Sequence, residues 1–280
     1  MFIEKISKKN KPISFQQKRL ISNINNKDLK LYKFIDSYFK AYCKFNKISI
    51  NQIINLRKKF LVNYLKNLNS FEKSEKYSNF NKNFNLTRIE YDIILLLSFL
   101  IEDHRFQIIN LFSKEKFKEE DVLIIGSGPS IELAVLRFYL KYKMTIEAYD
   151  LNFNSFIKKK FINECIVSEY KYKKKKYGKI VLIEFLEHIN KPYHFLFGLK
   201  KSLKKNGKIL LTTAINIPQF DHVYNFKKRE ILKKIQPMGY KKKEYYYIKH
   251  KMFISKVKSA NEYIVLTKLI IKKNYLFALI

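Results

Sequence analysis

The residues best suited to chemistry lie in Glu184-Phe185-Leu186-Glu187-His188, with His222 further on in Asp221-His222-Val223-Tyr224-Asn225-Phe226. Carboxylates and imidazoles are the ligands that divalent cations such as Mg2+, Mn2+ or Zn2+ take. A cation there could bind a pair of acceptor oxygens and lower the pKa of an attacking hydroxyl. Imidazole also works without a metal, because its pKa lies near neutrality. His188 therefore reads equally as a general base or as pocket lining, with Glu184 beside it.

A second group could bind a nucleotide. Gly126-Ser127-Gly128-Pro129-Ser130 follows an apolar run and precedes IELAVLRFYLKY, which has helical spacing. Glycines let the backbone turn sharply and approach a ligand closely, and a helix start presents unbonded N–H groups. A lone Gly-x-Gly is a weak signal. A dinucleotide fingerprint needs glycine at position 131, where Ile131 stands, which argues against a nicotinamide cofactor. Asp150 ends the run TIEAYD, where an acid accepts hydrogen bonds from ribose hydroxyls.

These residues need a scaffold, and the pattern from Asp121 onward supplies one. VLII, TIEAY, KIVLIEF and KILLTT read as strands, with helical stretches between, including Pro192 to Leu203. Such alternation is the signature of a parallel sheet with helices on its faces. EYYYIKHKMFISKV and NEYIVLTKLIIKK read as two strands of a C-terminal antiparallel β-hairpin at a sheet edge.

Four segments in a fixed order carry a family resemblance: IGSGPS, AYD, EFLEHI and LKKNG. Over roughly residues 118 to 245 the chain resembles the class I S-adenosylmethionine-dependent methyltransferases. That family has a glycine-rich first turn, an acid ending strand two, E-x-L-E-H after strand four and L-K-x-G-G before strand five. The resemblance implies a Rossmann-like, doubly wound, mostly parallel seven-stranded sheet. It also implies S-adenosylmethionine as cofactor, with Gly126, Ser127, Gly128, Asp150 and Leu151 as its binding residues. O-methylation of a small biosynthetic metabolite (a sugar, lipid or phenol) is the leading expectation, with His188 and Glu184 catalytic. Two metal-using branches are similar here, the ubiquinone-pathway O-methyltransferases and the small-RNA 2′-O-methyltransferases. They imply Glu184, Glu187 and His188 as ligands, with His222 as a fourth. An RNA 2′-O-methyltransferase and a catalytically inactive binding protein of the same fold stay open as alternatives.

Three positions depart from the family pattern. Ile124 stands where an acid often holds the methionine amino group, Ser130 replaces a glycine, and Asn206 replaces the first glycine of L-K-x-G-G. The methionine end of the cofactor is then left to Glu132 or to backbone.

Residues 1–117 read as a helical region acting as substrate cap or accessory, and 118–280 as the methyltransferase domain. The first 30 or so residues, rich in Lys and Asn, read as loosely ordered, and 70–86 as a linker or surface loop. The net charge of +33 suggests a polyanion partner. Yet Arg occurs only six times among 57 basic residues, and readers of nucleic acid favour Arg. The overused residues (Lys, Asn, Ile, Phe, Tyr) share AT-rich codons, so codon bias explains the charge better. Lys171 to Lys176 reads as a solvated run, Tyr245 to Tyr247 as hairpin packing, and His104-Arg105 as a helix C-terminal charge pattern. Cys43 and Cys165 match no metal spacing. The start, MFIEKISKKNK, lacks a signal-peptide apolar core. The longest apolar run, Ile93 to Ile101, is about half the roughly 20 residues of a membrane span. Cytoplasmic residence with a small-molecule acceptor is the expectation.

Overall fold

A computed structural model describes residues 1–74, 85–117, 120–167, 176–215, 217, 219–227, 230–249 and 263–271. Among the described residues, the chain opens with six helices: α1 (Phe2–Lys8), α2 (Lys11–Ser22), α3 (Asn26–Phe45), α4 (Ile50–Ser74), α5 (Arg88–Ile101) and α6 (Asp103–Ser113). The polar start is thus helical rather than loose. Asn10 and Asn25, whose type suggests loop, are helix N-caps: their side chains accept the N–H groups of Ile13 and Asp28. Such caps satisfy donors that the first turn leaves unpaired. Ile3 and Ile6 are fully buried, and both carboxylate oxygens of Asp36 bond the backbone at the start of α1.

Among the described residues, seven strands form one sheet in the order β3-β2-β1-β4-β5-β7-β6. They are β1 (Val122–Ile125), β2 (Ile146–Tyr149), β3 (Cys165–Val167), β4 (Tyr177–Ile183), β5 (Leu203–Ile215), β6 (Tyr240–Lys249) and β7 (Tyr263–Ile271). The five from β3 to β5 run parallel. β7 pairs antiparallel with β5, and β6 antiparallel with β7. Between the parallel strands lie α7 (Ile131–Ala134, continuing as a π turn to Tyr139), α8 (Ser155–Lys160) and α9 (Pro192–Leu199). α10 (Glu230–Ile235) precedes β6. α9 is shorter than the sequence suggests, because Leu203 already pairs with Tyr177 at the start of β5. The chain order reverses between β1 and β4. Open α/β sheets bind ligands in the crevice at such a point, outside the strands' carboxyl ends.

Side chains alternate across the sheet, as strand geometry requires. Val122 and Ile124 join the N-terminal helices in one core, which includes the buried helix Ile93–Ile101. Leu123 and Ile125 face the other way, onto Leu196 and Leu199 of α9 and Ile231 and Ile235 of α10. The N-terminal helices therefore share the sheet's own core. Among the described residues, no helix is long and apolar enough to cross a membrane.

Candidate active site at the carboxyl edge of the sheet

The glycine turn leaves β1 with left-handed backbone at Gly126 (φ 72°) and Gly128 (φ 51°). A Cβ on Gly126 would collide with the ring of Phe185. Ser130 adopts the same left-handed conformation (φ 58°), and the Ser127 hydroxyl bonds it at 2.9 Å. Asn206 does likewise (φ 68°), and Asn is among the residues that tolerate this region best. Both departures from glycine thus keep the backbone that glycine would give. From behind, the Tyr38 hydroxyl on α3 donates to the Pro129 carbonyl at 2.7 Å.

Asp150, just past β2, faces this turn. Its Oδ2 accepts the Gly128 N–H at 2.7 Å, while Oδ1 lies 2.6 Å from Arg88 Nη1. Arg88 also reaches Asp92 on α5, Nε to Oδ1, at 2.9 Å. Burial opposes the charge on Arg88, but the two carboxylates outweigh it and hold its pKa above the ordinary value. Leu151 beside Asp150 is 92% exposed.

The Glu184–His188 segment leaves β4 on the other side of the crevice. Glu184 has a left-handed backbone (φ 48°), and its carboxylate pairs with Arg105 of α6. Glu187 is buried and ties β4 to β5: it accepts the Thr213 hydroxyl at 2.7 Å and the Ala214 N–H at 3.3 Å. His188 Nδ1 lies 3.1 Å from the Asp221 carbonyl and 3.4 Å from its carboxylate. That carboxylate also accepts from the Tyr91 hydroxyl at 2.7 Å and from Gln219 at 2.8 Å. His222 Nδ1 lies 2.7 Å from the Ile217 carbonyl, and the two imidazole rings meet edge to face, 5.0 Å apart.

The electrostatics separate the two histidines. Burial disfavours a proton on His188, but Asp221 and Glu187 more than offset this, so its pKa is raised. Burial and the neighbouring His188 lower that of His222. Burial works to raise the Asp221 pKa, but His188, His222 and the Tyr91 bond win and hold it down. Of the two imidazoles, His188 is thus the one that holds a proton more readily.

Gly126, Ser127, Gly128, Asp150, Leu151, Glu184 and His188 all line one cavity of about 370 Å³, together with Arg88, Tyr91, Arg105, Glu132 and Asp221. Glu187 and His222 do not line it. A smaller space of about 40 Å³ adjoins, lined by His188 and His222, by Phe60 and Tyr64 of α4, and by Tyr91 and Leu95 of α5.

Ligand atoms of Glu187, His188 and His222 come within 4.8 Å of one another, close enough for one cation. Glu184 is not part of that group, because the Arg105 guanidinium takes its carboxylate. Nor do His104 and Arg105 end a helix. α6 begins at Asp103, which places them in its first turn. The expected ligand Ile124 leaves vacant is accounted for by packing: Ile124 is 2% exposed in the sheet's core. The Lys171–Lys175 run and the side chains of Tyr245–Tyr247 and Cys165 lie outside the described residues.

Arg88, Tyr91, Arg105 and Asp221 escaped the sequence reading as site residues. One signal could have found the arginines. In a chain so rich in Lys, each described Arg pairs with a carboxylate: Arg19 with Asp103, Arg57 with Glu102, Arg88 with Asp150, Arg105 with Glu184 and Arg137 with Glu164. A planar guanidinium suits forked pairing with a carboxylate better than a Lys ammonium does.

The structure is similar to a phosphoethanolamine N-methyltransferase of Haemonchus contortus in complex with S-adenosyl-L-methionine, at 12% identity and TM-score 0.53, covering 71% of this chain and 60% of that one. It is also similar to a SAM-dependent methyltransferase from Aquifex aeolicus, at 14% identity and TM-score 0.48, covering 67% of this chain and all of that one. No curated protein matches the sequence. A family model described as a methyltransferase domain matches residues 99–247, more than half of the chain. The chain belongs to that methyltransferase domain family and is a methyl-transferring enzyme.

Proposed function

We propose that this enzyme transfers the methyl group of S-adenosylmethionine to a hydroxyl of a small acceptor, with His188 as general base. The observation that carries the reading is that the glycine turn, Asp150, Leu151 and His188 line one cavity at the reversal point of the sheet. Asp150 offers a carboxylate to the ribose hydroxyls, and exposed Leu151 offers an apolar surface to the adenine. The sulfonium carries its own electrophilic methyl, so alignment and deprotonation are what the protein adds. His188 takes the acceptor's proton as the new O–C bond forms and the S–C bond breaks, leaving S-adenosylhomocysteine. A small acceptor is supported by the space beside His188, which is about 40 Å³ and is lined in part by residues of α4 and α5.

The distances among Glu187, His188 and His222 suit Mg2+, Mn2+ or Zn2+. However, Glu187 already accepts two hydrogen bonds and Glu184 is held by Arg105. The base reading uses these residues as they stand. Calorimetry with S-adenosylmethionine and S-adenosylhomocysteine tests the cofactor, and absence of binding at millimolar concentration would end the reading. Methyl transfer should survive EDTA; its loss would hand activation of the acceptor to a cation at these three residues.

A further inference from the structure

We infer that Glu132 receives the ammonium group at the amino-acid end of the bound cofactor, the role left open by Ile124. The inference rests on the reading that the cavity takes S-adenosylmethionine. Glu132 lines that cavity two residues past the glycine turn. It is 6% exposed, and a buried carboxylate without a cation is costly. Its own backbone N–H bonds it, and among the described residues no side chain makes a hydrogen bond or ion pair to it. The charged groups around it are Arg105 on α6, Glu184 after β4 and Asp150 after β2, with the Tyr38 hydroxyl of α3 also near. Arg105 is already paired with Glu184, and Asp150 with Arg88. Glu132 is therefore the acid of the cavity whose charge the fold leaves uncompensated, and a ligand ammonium supplies what is missing. The protein side agrees: burial raises the Glu132 pKa to about 7, and a cation beside a carboxylate would bring it down.

The test compares S-adenosylhomocysteine with 5′-methylthioadenosine, which has the same nucleoside and no amino-acid end. Calorimetry on the full chain should show Glu132→Gln weakening S-adenosylhomocysteine roughly 30-fold or more, the scale of losing one partner of a buried charge pair. Binding of 5′-methylthioadenosine should be unchanged. Equal weakening of both ligands would overturn the inference, since Glu132 would then act through the shape of the turn. So would unchanged S-adenosylhomocysteine binding. A second measurement needs no variant. In the unaltered protein the preference for S-adenosylhomocysteine over 5′-methylthioadenosine should grow between about pH 6 and about pH 8, as the carboxyl ionises. A preference flat in pH contradicts the inference. If the unaltered protein binds neither ligand, the cofactor reading itself falls, an outcome distinct from a protein that binds both and ignores Glu132.

Discussion

Arg88 and Asp150 stand 62 residues apart in the chain and 2.6 Å apart in space. The arginine belongs to α5 and the acid to the end of β2, so the helical region grips the sheet at the edge of the cavity. Arg88 also compensates Asp92, which is fully buried and whose pKa burial raises to about 6 despite the guanidinium. Replacing Arg88 by Ala strands that carboxylate. The expected loss is about 3 kcal/mol of stability, read from denaturant unfolding. Arg88→Ala/Asp92→Asn should regain much of it. A double variant no better than the single one would mean that Arg88 acts elsewhere.

Leu151 separates binding from folding. At 92% exposure it adds little to the core. If an adenine covers it, Leu151→Ala should weaken cofactor binding by about 1 kcal/mol, or roughly fivefold, with the melting temperature unchanged. A fall in melting temperature with intact binding would place Leu151 in packing instead.

The pH profile reports on His188. A base must be neutral to accept a proton, and the His188 pKa is raised, chiefly by Asp221 acting against burial. Activity should therefore be low below that pKa and climb as pH rises through a midpoint above 6.5. Asp221→Asn removes the charge that favours imidazolium, so the midpoint should move to lower pH while the plateau rate falls. His188→Ala should lower kcat by about 100-fold or more and keep cofactor binding. A midpoint unmoved in Asp221→Asn would separate the profile from His188.

Glu132 should mark the stability of the ligand-free protein. Its folded pKa of about 7 lies above the ordinary 4.5. Between those values the folded state holds a proton that the unfolded chain has released, so stability falls as pH rises. The fall amounts to about 3 kcal/mol at most. Glu132→Gln should flatten that slope, and saturating S-adenosylhomocysteine should reduce it. An identical slope in Glu132→Gln assigns it to another group.

The parallel half of the fold was legible because its signals are local. An apolar run, a glycine turn and a strand-end acid sit within a few residues of one another, and their order names the sheet. The cavity was legible where its lining sits on those segments, at Gly126, Asp150 and His188. Pairing across the chain was not, because nothing near Arg105 points to Glu184. The first two helices, α1 and α2, were misread for a different reason. Asn caps and Asn loops look alike until it is known that Ile3 and Ile6 are buried. Ser130 and Asn206 show that a left-handed backbone outlasts the glycine that usually encodes it.

Arg88, Tyr91, Leu95 and Phe99 all face the large cavity, and they recur along α5 at helical spacing. One rigid rod therefore carries the partners of Asp150 and Asp221 along one side of the cavity, about 16 Å from first to last at 1.5 Å per residue. α5 works as a gauge. A single residue inserted between Tyr91 and Leu95 would turn the far half of the stripe by about 100° and put both ends of the reaction out of register, although no contact with donor or acceptor had been edited.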